Sequence, residues 1–188
     1  GAHKEVSAAA LGGVRQVDAI VHVVRAFESS AVPHVLDSID PRRDMAETMN
    51  EMLFADLAQC DQRIKKLRPM VAKFSKTQEH DKKELALLER LMAHLEKTDP
   101  VSSFQLSNED EHRIVAAFQF LTAKPIMTVF NVGEGDLGPG GKAEQWHKAW
   151  LQGQDAVFAN CAEPPYQYGK PQPRRVAQLP PALPGNAP

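Results

Sequence analysis

The stretch VDAIVHVVRAFESSAVPHV, residues 17–35, decides the fold class of this chain. Its first part, residues 17–27, is almost continuously apolar and rich in valine, which is typical of a strand buried on both faces of a parallel sheet. Two later segments repeat the pattern, PIMTVFNV at 125–132 and DAVFANCA at 155–162. We therefore predict three strands that share one sheet.

Helical segments precede the second and the third predicted strand. The first begins at Ser107, predicted as its N-cap, with Asp110 three residues later. The second covers residues 142–152, where Trp146 and Trp150 stand four apart. Helices that alternate with buried strands indicate an α/β fold with a doubly wound sheet, whose site lies at the carboxyl ends of the strands.

A long polar insert, residues 42–97, is predicted to form a helical hairpin. Apolar residues recur every three or four positions in two arms, separated by the break SKTQEHDKK at 75–83: Leu53, Leu57, Cys60, Ile64, Leu67, Val71 and Phe74, then Leu85, Leu88, Met92 and Leu95. Pro69 should remove one hydrogen bond and bend the first arm. This narrow stripe predicts a coiled-coil seam between two helices. A groove for a partner helix and an RNA contact through the basic faces remain open.

Composition limits the class of protein. The 188 residues are 43% hydrophobic, enough for a core. The net charge of -2 gives no overall basic field, so a nucleic-acid partner would require a local basic patch, and composition neither supports nor excludes one. We expect no DNA partner. No apolar run approaches the roughly 20 residues that cross a bilayer, so we expect no membrane partner. The two cysteines, Cys60 and Cys161, are too few for a disulfide framework or a zinc knuckle and favour a reducing cytoplasm.

The last 25 residues, 164–188, contain eight of the fourteen prolines and no periodic apolar pattern. This composition predicts an extended or disordered tail.

No phosphate-binding motif G-x-x-x-x-G-K-[ST] occurs in the sequence. The segment NVGEGDLGPGGKAEQW, 131–146, has Asp136 where the first glycine is required, and Ala143 offers no hydroxyl for magnesium. We predict a glycine-rich turn there. At its start, Asn131 and Glu134 follow a strand and are three residues apart, so that an amide and a carboxylate can face one ligand, although a simple turn has the same pattern.

Several motifs in a fixed order resemble one known family. RQVDAIVHVVRAFE at 15–28, DPRRDMAETMNEMLFADL at 40–57, a helical hairpin, and FLTAKPIMTVFNVGE at 120–134 are similar to the Obg-like ATPases of the YchF group, within the translation-factor class of P-loop GTPases. The resemblance covers residues 14–134 and continues more faintly to VFANCAE at 157–163.

The resemblance implies a nucleotide site. In that family N-x-x-E replaces the guanine-reading N-K-x-D and adenine is accepted, so Asn131, Val132 and Glu134 would border the base, with Cys161 and Ala162 on its other side. ATP would be the ligand, GTP an alternative, and Mg²⁺ the cofactor of the complete domain, with the ribosome as partner.

A histidine after the F-E pair is implicated in hydrolysis in this family, which implies a catalytic role for His34. From the residues alone, the favoured interpretation of His34 is a surface loop residue, and only the resemblance favours the hydrolytic role. His22 inside the strand is expected to pack in the core.

Departures from the family pattern shape the remaining expectations. The phosphate loop, its magnesium-binding aspartate and the ubiquitin-like domain of the family are missing from these residues. We therefore expect a fragment or degenerate member, with a partial nucleotide-binding domain at 1–41 and 98–163, that does not hydrolyse ATP alone. The alternative is a non-catalytic module whose hairpin binds protein or RNA.

Overall fold

The computed structural model of the chain describes residues 8–34, 36, 38–137, 139–150 and 156–159. Its helices are α1 (Ala8–Val14), α2 (Pro41–Val71), α3 (Gln78–Leu95), α4 (Glu109–Phe118) and α5 (Lys142–Trp150), and its strands are β1 (Ile20–Arg25), β2 (Ile126–Asn131) and β3 (Ala156–Ala159). Short 3₁₀ turns cover Val101–Ser103, Leu121–Ala123 and Glu134–Asp136. None of the described helices is both long and apolar enough to span a bilayer.

The described residues form two compact units. The first contains residues up to 20 together with Arg42–Ile126, and the second contains Val21–Pro41 and the residues from Met127 onward. The hairpin thus packs with the segment that follows it. The assignment of 1–41 and 98–163 to an Obg-type domain stays a prediction.

The predicted insert contains two helices, α2 and α3, and their apolar faces form most of the core of the first unit. Pro41 opens α2, where its fixed φ suits the first helical position and no N–H is needed. The core is wider than the predicted two-helix seam, because α4 and the 3₁₀ turns also pack against it. Its buried members are Leu53, Cys60, Ile64, Leu67, Leu87, Leu88, Leu91, Leu95, Val101, Val115 and Phe120.

Two details of the hairpin differ from the sequence prediction. Leu87 and Leu91 are fully buried although they lie outside the predicted stripe, since α3 contacts more than one neighbour. Phe74, predicted to belong to the stripe, is 98% exposed, because α2 ends at Val71 and the chain turns. Pro69 lies inside α2 as predicted, two residues before the helix ends, and the bend of the helix there stays a prediction.

A paired guanidinium and carboxylate join the two arms. Arg63 of α2 donates from Nε and Nη2 to the two carboxylate oxygens of Glu84 in α3, each at 2.7 Å. This bidentate geometry holds Glu84, whose side chain is 5% exposed, and the hydrogen bonds to that carboxylate raise the pKa of Arg63. The contact fixes the register of α2 against α3.

The carboxylate of Asp56 is the most densely bonded polar group of the first unit. Its side chain, 0% exposed, accepts from the backbone N–H of Leu121 at 3.0 Å and of Thr122 at 2.9 Å, and from the Thr122 hydroxyl at 2.9 Å. The Arg15 guanidinium donates to it at 2.8 Å. A buried carboxylate is tolerated only when it is satisfied in this way.

The segment bound by Asp56 is shaped to reach it. Gln119 closes α4 in the left-handed conformation, with φ 53°, which turns the chain so that the next amides point towards α2. Thr122 also accepts from the N–H of Val101 at 3.0 Å, and Gln59 donates to the carbonyl of Phe118 at 2.8 Å. The connection that leads into β2 is therefore anchored on α2.

The sheet has the order β1-β2-β3. β2 and β3 are parallel, with Thr128 opposite Ala156 and Asn131 opposite Ala159. Beside β1, Ile20 donates to the carbonyl of Pro125 and Ala26 to that of Asn131, so the hydrogen bonds advance in the same direction along both segments. The α/β class is confirmed, whereas the doubly wound arrangement and the coiled coil stay predictions.

Burial on both faces of β1 is wrong for the described residues. Val24 is buried, but Val21 and Val23 are 60% and 61% exposed, so the strand alternates between a covered and an open face. His22 lies half-buried on the covered side. Valine-rich runs fit a pleated sheet whether or not both faces are packed, and for that reason the pattern over-predicted burial.

The N-cap of α4 lies one residue later than predicted. Asn108, and not Ser107, is the N-cap, and its side chain accepts from the N–H of Glu111 at 3.0 Å. Glu111 in turn accepts from the N–H of Ser107 at 2.8 Å and from Arg90 at 2.7 Å, and these bonds lower its pKa. Both residue types cap helices well, so only the backbone geometry distinguishes them.

We expect Asp56→Ala to destabilise the chain by about 3–5 kcal/mol, because it leaves buried N–H and O–H donors unsatisfied and removes the carboxylate that pairs with the Arg15 guanidinium. Urea unfolding measures the change. Asp61→Ala, one turn further along α2, removes only the exposed pair with Lys65 and should cost about 0–1 kcal/mol. Asp56→Asn, which keeps the shape, should also destabilise; an unchanged midpoint would contradict the role of the charge.

We expect the Cys60 thiol to resist modification. It is 0% exposed, and its burial, together with the nearby Asp56 carboxylate, raises its pKa from 9.0 to about 12, so the reactive thiolate is scarce at pH 8. In a Cys161→Ser variant, a disulfide reagent should react slowly with the native chain and rapidly in denaturant. Because the thiol is protonated in the folded chain and ionised in the unfolded one, it should also lower stability as the pH rises from 9 towards 12. Fast native labelling would contradict this burial.

Candidate functional site

The carboxyl end of β2 is the centre of the predicted site. Asn131 is the last residue of this middle strand and lies half-buried. Its carbonyl accepts from the N–H of Ala26 at 2.7 Å, and its Cα is in register with Ala159 of β3. The backbone of Asn131 thus lies between the ends of the two neighbouring strands, the usual position of a ligand crevice in such sheets.

The residues after Asn131 divide into a buried and an exposed part. Val132 is 1% exposed, whereas Glu134 is exposed and opens the 3₁₀ turn Glu134–Asp136. The turn is closed by a hydrogen bond from the N–H of Asp136 to the carbonyl of Gly133 at 3.0 Å. Glu134 therefore follows the end of β2 at the start of a short turn that is closed by a hydrogen bond.

The glycine-rich segment forms a turn that leads into α5. Gly140 adopts φ +78°, which favours glycine, and its N–H donates to the Glu144 carboxylate at 2.6 Å. Gln145 donates to the carbonyl of Gly140 at 2.8 Å. This loop provides an internal carboxylate where a phosphate site would need a free amide, so the described residues of the loop do not fit a phosphate group.

Glu144 was not singled out by the sequence reasoning. The available signal was an acidic residue in the first turn of a helix, four residues after a glycine, where a carboxylate caps free N–H groups. Trp146, two residues later, contacts Phe130 of β2 with ring centroids 6.2 Å apart, which packs α5 against the covered face of the strand.

The loop after β1 carries His34. Its Nδ1 accepts from the N–H of Leu36 at 3.1 Å, and the ring is half-buried. With Nδ1 accepting this bond, the neutral ring carries its proton on Nε2. Such a ring can orient a water molecule by donating from Nε2, and cannot take up a proton at that atom.

The first residues of the same loop are fixed by a stacked arginine. Arg25 lies over the ring of Phe27, 4.6 Å from its centroid, and donates from Nε to the carbonyl of Phe27 at 3.1 Å. Further along, Ala31 donates to the Ser29 hydroxyl at 3.2 Å. These contacts shape the loop before it reaches His34.

Two of the predicted nucleotide-binding residues, Cys161 and Ala162, lie outside the described residues, as do the tail 164–188 and part of the predicted third strand. Of the sequence-predicted site, the structure describes His34, Asn131, Val132 and Glu134, all of them in the second unit.

A separate cluster in the first unit has the composition of a metal site. His80, Asp81 and Glu84 offer ligand atoms within 4.8 Å of one another, beside a cavity of about 440 Å³ between the hairpin and α4. Both oxygens of Glu84 are already bonded to Arg63. Because a guanidinium holds the carboxylate that a cation would need, this cluster is better described as part of the helix–helix contact.

The chain is similar in sequence to known proteins, although no family model matches it. It is 38% identical over 125 residues to the "Ribosome-binding ATPase YchF" of Haemophilus ducreyi, covering 66% of this chain and 33% of that protein. It is 37% identical over 158 residues to the protein of the same name from Bacillus subtilis, covering 81% and 42%.

The chain is also similar to a solved structure of a YchF protein. The Schizosaccharomyces pombe YchF GTPase superposes with a TM-score of 0.69 at 28% identity, over 85% of this chain and 45% of that one. The chain spans between a third and about two fifths of the length of the curated relatives described above. The family resemblance seen in the motifs is confirmed.

Proposed function

We propose that this YchF-like chain provides the base-recognition side of a site for ATP, with GTP as an alternative ligand, and that it associates with the ribosome. Relatives at 32–38% identity carry the name ribosome-binding ATPase, and the similarity extends through the residues that would read the base. The observation that carries the proposal is the position of Asn131 and Glu134 at the end of the middle strand.

The chemistry of these residues suits a purine base. An amide at a strand end offers both a donor and an acceptor, and the buried Val132 keeps the strand end rigid. Guanine recognition requires a carboxylate that accepts from N1–H and the 2-amino group. In N-V-G-E the acid is a glutamate, one methylene longer than aspartate, and the middle lysine is absent, so this requirement is relaxed and adenine is accepted.

We propose no phosphate or magnesium site among the described residues. The described loop at 139–146 uses its own Glu144 on the Gly140 amide, and the sequence has no G-x-x-x-x-G-K-[ST] motif. We therefore derive no hydrolytic step for this chain, and we expect the 188 residues by themselves not to hydrolyse ATP. A phosphate-binding loop and a magnesium ligand would have to come from other residues.

We further propose that His34 orients the attacking water when those groups are supplied. The hydrogen bond from the N–H of Leu36 to Nδ1 holds the ring within its loop. His34 would act by positioning the water that attacks the γ-phosphate.

The base preference can be measured in a chimera in which this segment replaces the matching segment of Bacillus subtilis YchF. We expect ATP to compete with a fluorescent nucleotide at least as well as GTP. Asn131→Ala and Glu134→Ala should each weaken ATP binding by about 5- to 10-fold, the scale of one hydrogen bond. Asp136→Asn, a carboxylate in the same turn, is the matched control. A strong preference for GTP would exclude adenine recognition.

The role of His34 can be measured in the same chimera. His34→Ala should leave ATP affinity within a few-fold and lower turnover by roughly ten-fold or more, because water positioning acts on the reaction and not on binding. His22→Ala, within β1, serves as a comparison for general structural damage. Turnover equal to that of the unsubstituted chimera would remove His34 from the mechanism.

A second candidate function is a non-catalytic interaction module built on the hairpin. The observation that favours it is the exposed, basic turn between α2 and α3, which belongs to the unit without the predicted base site. Titration of the chain with ATP and GTP separates the two functions. No binding of either nucleotide at millimolar concentration, with ribosome binding intact, would favour the module.

A further inference from the structure

The turn between α2 and α3 exposes a large aromatic side chain. We call residues 72–77, with the sequence AKFSKT, the hairpin tip. All six are exposed, and Phe74 is 98% exposed, more than any other large hydrophobic residue among those described. Met70, just before the tip, is 43% exposed. A single exposed hydrophobic residue is ordinary by itself, so Phe74 indicates a contact surface only in combination with the charged residues around it.

The same end of the hairpin is strongly basic. Between Asp61 and Glu79 the sequence has no acidic residue but six basic ones, in a chain whose net charge is -2. Three of the six have an acidic partner: Arg63 with Glu84, Lys65 with Asp61 and Arg68 with Glu89.

The remaining three basic residues are Lys66, Lys73 and Lys76. Within the part of the chain that the structure describes, none of them forms an ion pair, and all three are exposed. Three of the six basic residues are thus paired with acidic ones, whereas these three lysines leave an uncompensated positive charge at and near the tip. Such a local patch attracts a polyanion although the whole chain is slightly acidic.

The tip is held in a defined conformation. Gln78 donates from its side chain to the carbonyl of Val71 at 3.0 Å, which satisfies the end of α2 from the start of α3. The N–H of Gln78 bonds the carbonyl of Ser75 at 3.3 Å, and the Thr77 hydroxyl donates to Asp81 at 3.0 Å. A surface ordered before it binds loses less conformational freedom on binding.

We propose that the hairpin tip binds RNA, with Phe74 stacking on an unpaired base while Lys66, Lys73 and Lys76 contact the flanking phosphates. Aromatic side chains stack on any base, and lysines follow the phosphate backbone, so the pairing of these residue types suits single-stranded or loop RNA. The inference rests on the ribosome association proposed above and names the chemistry of that contact.

The aromatic contact is tested without nucleotide, using a fluorescent oligouridylate of about 12 nucleotides, within the range that single-strand sites cover, and purified ribosomes. Phe74→Ala should weaken binding to both by about five-fold or more, the scale of one lost base stack, and Phe74→Trp should retain it. Phe54→Ala is the matched control, because Phe54 is a 68% exposed phenylalanine on α2 outside the tip.

The phosphate interactions are tested by salt titration. Replacing Lys73 and Lys76 together by Gln should weaken binding and reduce the slope of log K against log salt concentration by roughly 0.7 for each phosphate that the lysines no longer neutralise. Lys97→Gln, an exposed lysine just after α3, should change neither. Circular dichroism and the urea midpoint verify that each variant stays folded.

The outcomes are distinct. Ribosome binding that is unaffected by every tip variant would overturn the inference while leaving the proposed association in place. Tip variants that fail to bind ribosomes, with no oligouridylate binding by the unsubstituted chain, would overturn RNA in favour of a ribosomal protein. If the unsubstituted chain binds neither ribosomes nor RNA, both the association and the tip contact are wrong.

Discussion

The buried carboxylate of Asp56 is the constraint around which the first unit is organised. An ionised group without access to water must be fully bonded, and here it takes two backbone amides, a hydroxyl and the Arg15 guanidinium. The bonded segment follows Gln119, whose left-handed conformation costs free energy that these bonds offset. The carboxylate on α2 therefore fixes the segment of the first unit that leads into β2.

The hairpin has different charge environments at its two ends. Near the core, acidic and basic side chains are paired across the arms, as in Arg63 with Glu84, so that burial leaves no isolated charge. At the turn, Lys73 and Lys76 form no ion pair among the described residues and lie next to an exposed phenylalanine in the sequence, whereas Glu79 at the start of α3 pairs with Lys82. Packing explains the paired part completely, whereas nothing in the core of the first unit requires Phe74 to be aromatic.

The sheet explains why the motif shared with YchF proteins can form one site. Parallel strands bring their carboxyl ends to one edge, and the motif N-V-G-E lies there on the middle strand. The loop that follows is closed by Glu144 and not by an anion from outside. The described residues of this loop thus do not fit a phosphate group, whereas the base site at the end of the middle strand is a proposal.

The sequence alone predicted the α/β class, the positions of β1, β2 and the two hairpin helices, and the resemblance to YchF proteins, because hydrophobic period and motif order are local properties. It could not place the N-cap at Asn108 instead of Ser107, nor exclude Phe74 from the core, since the first depends on the residue at which α4 begins and the second on α2 ending at Val71. Only the tertiary structure identified Asp56 as the central acceptor: its donors, Leu121 and Thr122, are about 65 residues away in sequence. A buried charge becomes recognisable only when distant parts of the chain supply the groups that satisfy it.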